Sequence, residues 1–153
     1  MTILERLAEL GIVLPKPMAP VATYVPVTIA GAFVIVSGQL PAIDGKVAVA
    51  GRLGAEVSVA EGQHAARLCL INVLAQLHAA VPGGLASISR VLRLGGFISA
   101  TPDFTQHAVV MNGASDLATA AFGENGRHAR STVGVASLPL DAAVEVEGMF
   151  LLG

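Results

Sequence analysis

Apolar residues recur along this chain in two rhythms, one near 3.6 residues and one of two. The helical rhythm comes first: Ile3, Leu4, Leu7 and Leu10 follow Thr2 and precede Gly11. Thr2-x-x-Glu5 has the form of a capping box, in which two side chains satisfy backbone N–H groups that a first helical turn leaves open. The spacing predicts a short N-terminal helix that stops at Gly11. Residues 12–22 contain three prolines and predict an extended connector. Alternation then takes over in "YVPVTIAGAFVIVSGQ", which reads as strands over about 23–29 and 32–38 around a turn at Gly31. A short strand near 47–50 follows the Asp44-Gly45 turn.

Ser58-x-x-Glu61 has the form of a second capping box and opens the longest helical stretch. Ala66, Leu70, Val73, Leu74 and Leu77 fall on one helix face, and Pro82-Gly83-Gly84 ends it. "SISRVLRLGGFISA" alternates as a strand, with a bulge expected at Gly95-Gly96. Thr101-Pro102 has the pattern of an N-cap followed by proline in the first helical position, predicting a helix from about 103 to 121. Strands over about 130–136 and 143–151 close the chain. The order α-ββ(β)-α-β-α-ββ predicts an α+β sandwich, one domain over residues 1–153, with two long helices on one sheet face. The other face has no cover within the chain.

Composition bears on that uncovered face. The chain is 54% hydrophobic and 13% charged, against about 25% charged in ordinary soluble domains. Either a membrane or other copies of the chain must take up the apolar surface. No charge occurs between Lys16 and Asp44, but that gap holds Pro17, Pro20, Pro26, Gly31, Gly38 and Pro41. A spanning helix wants about 20 mostly apolar residues without such breakers. The expectation is therefore an oligomer and no membrane span. The formal net charge is -2 and the nine basic residues are scattered singly, which argues against nucleic acid. Cys69 is the only cysteine, so neither an intrachain disulfide nor a zinc cluster is suggested. "MTILERLAEL" lacks the basic and apolar regions of a signal peptide, and a cytoplasmic location is expected.

Few residues are candidates for chemistry. In "AAVEVEGMFLL", Val144 and Val146 point one way and Glu145 and Glu147 the other. The two acids read either as a wet strand side or as the lining of a cleft facing another subunit. Arg130, at a strand start, reads either as a surface or ion-paired residue or as a two-point anchor for a carboxylate or phosphate. Its strand and that of Glu145 are consecutive, so pairing between them would bring the two side chains near each other. His64, His78, His107 and His128 have no metal-ligand spacing and read as surface or cap residues; Cys69 reads as core. No metal site, cofactor site or Ser-His-Asp set emerges.

The closing segment "ARSTVGVASLPLDAAVEVE", with "TYVP" (23–26), "VSGQLP" (36–41) and Asn112, resembles the Rid/YjgF family, the reactive intermediate deaminases, also called the L-PSP endoribonuclease family. The resemblance covers roughly residues 20–153, so residues 1–19, the N-terminal helix and proline-rich connector, are additional to the family core. It implies a chorismate-mutase-like fold with a mixed sheet, in a homotrimer whose sheets face inward with clefts between subunits. It also implies that Arg130 binds the carboxylate of a 2-imino acid and that Glu145 positions or activates water. Tyr24, Ser37, Gly38 and Asn112 match pocket positions. Thr132 stands where well-known members have cysteine, and His128 where proline is frequent.

The resemblance thus implies a hydrolase without a cofactor that converts enamine or imine intermediates to 2-keto acids and ammonia. The alternative is a non-catalytic trimer that binds small carboxylates. The acidic charge balance counts against the endoribonuclease activity of the family's older name.

Overall fold

The computed structural model describes residues 1–20 and 22–153; Val21, within the predicted connector, lies outside the described residues. Helix α1 spans Ile3–Glu9. Thr2 and Glu5 form the expected capping box, with Glu5 N–H donating to Thr2 Oγ1 at 3.1 Å and Thr2 N–H donating to the Glu5 carboxylate at 2.6 Å. Gly11, at φ 74°, ends the segment in the left-handed region that glycine enters without a Cβ clash. Strands β1 (Val27–Ala30) and β2 (Phe33–Gln39) form a hairpin. Two-residue strands β3 (Ala42–Ile43) and β4 (Lys46–Val47) close over Asp44-Gly45. Both of these turn residues have positive φ, the conformation that matches strand twist in a two-residue loop.

Helix α2 runs Val59–Ala80, and Ser58 caps it by accepting from Glu61 N–H at 3.1 Å. Strand β5 (Ile88–Ser99), helix α3 (His107–Phe122), strand β6 (Ala129–Val135) and strand β7 (Val144–Leu152) complete the chain. The five-stranded sheet has the order β1-β2-β7-β5-β6, antiparallel except for the parallel pair β5·β6. It is therefore mixed, as the resemblance implied. Both long helices lie on one face. The stripe Ala66, Leu70, Val73, Leu74 and Leu77 is fully buried in one core with Val144, Val146 and Phe150 of β7. Each such leucine contributes about 1.5–3 kcal/mol of burial.

The opposite face is open. Phe33, Ile35 and Val133 remain 52%, 47% and 49% exposed, and the register sets Met149 beside Ile35 and Phe97 beside Val133. Part of the apolar surplus seen in composition lies here, while other exposed apolar side chains, Val13, Ile43 and Leu140 among them, lie elsewhere.

Several expectations need correction. β1 begins at Val27, because Pro26 cannot donate to a ladder and the Val25 and Pro26 carbonyls bond to Ser37 instead. β4 ends at Val47, short of the predicted 47–50. Helix α3 begins at His107, not 103. The Thr101 N–H is committed to the Leu53 carbonyl at 3.0 Å and its own carbonyl accepts from Phe104, so Thr101-Pro102 makes a turn instead of a cap. Gly95 and Gly96 pair regularly with Glu147 and Val146. Glycine is needed there for close approach, since a Cβ on Gly96 would lie 2.6 Å from Met111 Sδ on α3. The irregularities of β5 lie earlier, between Ile88 and Arg90 and between Val91 and Arg93.

Candidate functional site

A bulge builds the first cluster of predicted site residues. Along β2, Val36 pairs with Gly148 and Gln39 with Val146, so three steps of β2 face two of β7. The extra residue falls at Ser37-Gly38 and turns that backbone onto the Glu145 carboxylate. A Cβ on Gly38 would crowd Glu145 Oε1 and lie 2.8 Å from Cδ and 3.0 Å from Cγ, so any larger residue here would displace the carboxylate. Ser37 Oγ donates to the Val25 carbonyl at 2.8 Å, which ties the segment carrying Tyr24 to the bulge. Tyr24, Gly38 and Glu145 line one recess, with Met18, Pro20 and Pro139 among its apolar walls. Buried glutamines support it from below: Gln76 Nε2 donates to the Met18 carbonyl at 2.7 Å, and Gln39 Nε2 to the Ser37 carbonyl at 3.1 Å.

Glu145 is half-buried on the open sheet face. Burial raises its carboxyl above the usual carboxylate range, and the negative charge of Glu147 adds to the shift. Glu147 itself lies 3.4 Å from Arg93 Nη1, a partly exposed ion pair. The two acids of "VEVE" therefore separate: one is paired and the other is crowded into a recess.

Arg130 stands elsewhere. Its Nη1 donates to Asn112 Oδ1 at 2.9 Å and Ser115 Oγ at 3.1 Å, and its Nη2 donates to the Ala108 carbonyl at 3.2 Å, all on α3. Every acceptor is neutral, and among the described residues no carboxylate lies within ion-pair distance of Arg130. A guanidinium has five N–H donors in a rigid plane. Three bonds engage Nη1 and Nη2 here, and among the described residues Nε–H has no acceptor, so the Nε/Nη2 edge has donors to offer as a two-point fork. Asn112, Ser115, His128 and Arg130 line a shallow open pocket. Thr132, paired with Gly96 on the same face of β6, keeps a buried Oγ1 without a hydrogen-bond partner among the described residues.

The predicted site is thus split. Tyr24, Ser37, Gly38 and Glu145 gather around the open face, whereas Asn112, Arg130 and Thr132 gather on the helix side. Arg130 and Glu145 do not meet through strand pairing, because β5 lies between β6 and β7. Arg130 sits beside Leu94 and Glu145 beside Phe97. They are roughly 10 Å apart across the sheet and about as far along it, and on opposite faces. Arg130 therefore does not share the strand face of Glu145.

Sequence reading missed Ser115 and gave His128 only a surface or cap role. Ser115 Oγ lies 2.9 Å from His128 Nε2, and His128 Nδ1 lies 2.6 Å from the Gly126 carbonyl. The only signal was His128 two residues before the arginine. Elsewhere the bland readings fit. Cys69 is fully buried and burial pushes its thiol well up; His78 Nδ1 accepts from Leu85 N–H at 3.3 Å; His107 packs edge-on against Phe104. Among the described residues no three metal-ligating side chains cluster, and no helix is long and apolar enough to cross a membrane.

Comparison with known proteins adds context to this geometry. The model of the YjgF/chorismate mutase-like endoribonuclease family matches residues 4–150. Protein TCP17 of Trypanosoma cruzi is 48% identical over 145 residues, covering 94% of this chain and 90% of TCP17. The crystal structure of Atu1372 from Agrobacterium tumefaciens is 48% identical and superposes with a TM-score of 0.93, covering 99% of this chain and 92% of that one. The structure of Escherichia coli TdcF with bound serine is 27% identical with a TM-score of 0.61, covering 92% and 95%.

Proposed function

Because the chain belongs to the YjgF/chorismate mutase-like endoribonuclease family, we propose that it hydrolyses 2-imino acids to 2-keto acids and ammonia. The observation that carries this reading is the Arg130 fork: a fixed cation with neutral neighbours and two coplanar donors left for a carboxylate. Held there, the substrate presents an adjacent C=N carbon that is already electrophilic, so positioning supplies much of the catalysis. Water adds to that carbon while its proton passes to the Glu145 carboxylate. Glu145 returns that proton to nitrogen to give a carbinolamine, then relays the hydroxyl proton to the same nitrogen, and the C–N bond breaks so that ammonia leaves as the carbonyl forms. The raised pKa of Glu145 makes it a stronger base than an ordinary carboxylate.

Within one chain the two clusters face away from each other, so this chemistry needs Arg130 of one copy beside Glu145 of another. The open apolar face around Phe33, Ile35 and Val133 is where copies would meet, and a homotrimer with inward-facing sheets satisfies both needs. Ammonia release from freshly generated 2-iminobutanoate tests the reading. Arg130→Ala is expected to lose the rate enhancement, at least about 100-fold for a two-point charged contact, with the oligomer intact. Unchanged turnover in that variant would refute it.

A second reading has its own support. TdcF carries serine, a carboxylate-bearing ligand that is not an imine, and a non-catalytic binder would use the same Arg130 fork. Tight 2-oxobutanoate binding with no turnover would select that reading. Net charge and scattered basic residues count against RNA as the substrate.

A further inference from the structure

The contacts behind Arg130 form a chain whose hydrogen-bond directions can be assigned. The Gly126 carbonyl only accepts, so His128 Nδ1, 2.6 Å away, must carry a proton. In the neutral ring Nε2 is then an acceptor, and the Ser115 hydroxyl, 2.9 Å away, donates to it. Ser115 has no second hydrogen, so its oxygen turns a lone pair toward Arg130 Nη1, which donates to it at 3.1 Å. Each link permits one direction, and bonds aligned in this way polarise one another. If the ring were absent, the Ser115 hydroxyl could rotate its hydrogen toward Nη1 and repel it.

From this arrangement we infer that His128 is a positioning residue for Arg130, acting through the hydroxyl of Ser115 to hold the guanidinium so that its Nε/Nη2 edge faces the ligand. The inference rests on the reading of Arg130 as the carboxylate anchor and deepens it. Arginine has four rotatable side-chain bonds and its freezing is costly, so contacts that order it beforehand tighten ligand binding. Asn112 and Ala108 hold two points of the plane directly, whereas Ser115 holds the third only while His128 takes its hydrogen. His128 thereby supports the anion site from behind the arginine.

The test has two independent arms. In the ligand-free protein at pH 8, nitrogen NMR is expected to find the His128 ring in the Nδ1–H form, and His128→Ala is expected to speed solvent exchange of the Arg130 Nε–H. A ring protonated at Nε2 alone, or an exchange rate unchanged in the variant, overturns the inference without any ligand. The second arm is calorimetric binding of 2-oxobutanoate. His128→Ala and Ser115→Ala should each weaken binding roughly 5- to 10-fold, the scale of one loosened charge-assisted hydrogen bond. The double variant should be no weaker than Ser115→Ala alone, because both act on one link. His128→Gln, whose amide oxygen can take the Ser115 hydrogen, should recover most of the loss. A His128→Ala penalty that persists undiminished in the Ser115→Ala background overturns the relay. Arg130→Ala separates the two layers: if it binds like the parent, the anchor reading fails, whereas lost binding there with normal binding in His128→Ala rejects the relay alone.

Discussion

Gly38→Ala is the sharpest single probe of the recess. The added Cβ would crowd Glu145 Oε1 most closely and lie 2.8 Å from Cδ, so Cδ must retreat by at least about 0.6 Å, and Oε1 by more, to reach the 3.4 Å of ordinary contact. The obstacle is the end of a flexible side chain, not backbone, so the fold itself need not yield. Backbone strain is also absent, since Gly38 is not among the glycines with positive φ. Reduced freedom of the unfolded chain stabilises alanine by about 0.4–1 kcal/mol, and an off-rotamer Glu145 costs about 0.5–1.5 kcal/mol. The net change in stability should stay within about 1 kcal/mol of zero. Catalysis should respond far more, because a misplacement approaching 1 Å costs on the order of 10- to 100-fold. Thermal unfolding and ammonia release on the same preparation provide the comparison. Full activity in Gly38→Ala, or a loss of stability above about 3 kcal/mol, would refute the argument.

Other expected outcomes follow from the same geometry. Glu145 takes up its proton at higher pH in the folded chain than in the unfolded one, so stability falls as pH rises from the ordinary carboxylate range through its folded pKa. Glu145→Gln should therefore unfold at a higher temperature than the parent at pH 8, and the gap should close by pH 4; a gap that widens in acid would contradict this. Asn72 Nδ2 donates to the Leu40 and Ala42 carbonyls at 2.9 and 3.1 Å inside the core. Asn72→Leu strands both acceptors and should cost about 2–5 kcal/mol in urea titration; a change under 1 kcal/mol would show that they find other partners. Ile35→Glu sets a charge in the middle of the open face, opposite Met149. Light scattering should then report a monomer with native circular dichroism, and an undisturbed oligomer would place the interface elsewhere.

The legible parts of the fold were those governed by neighbours in the chain. Thr2 with Glu5 and Asp44-Gly45 are local devices whose partners lie within three residues, and both formed as read. At Ser58 only half of the capping box forms: its hydroxyl accepts from Glu61 N–H without a return bond from the Glu61 side chain. The α2 stripe was equally plain, because five apolar residues at helical spacing leave only one face to bury. Thr101-Pro102 shows the limit. Its local chemistry fits a cap, but Leu53, nearly fifty residues earlier, claims its backbone N–H. Gly95-Gly96 is similar: glycine signals either a bulge or a close approach, and only the position of Met111 decides between them.

The candidate residues divide the same way. Residue order alone marked Arg130, Glu145, Tyr24, Ser37, Gly38, Asn112 and Thr132, since a motif survives in one dimension. Hydrophobic period likewise determined the helices, most of the strands and the presence of an uncovered apolar face, because burial of a periodic stripe is a local demand. Strand order was not so determined. That β5 inserts between β6 and β7 follows from how the whole sheet packs on α2 and α3, and it sends Arg130 and Glu145 to opposite faces. The Ser37-Gly38 bulge, the neutral cradle around Arg130 and the Ser115–His128 link also depend on segments far apart in the chain. Such contacts carry no periodicity to read, so only the tertiary structure could decide them.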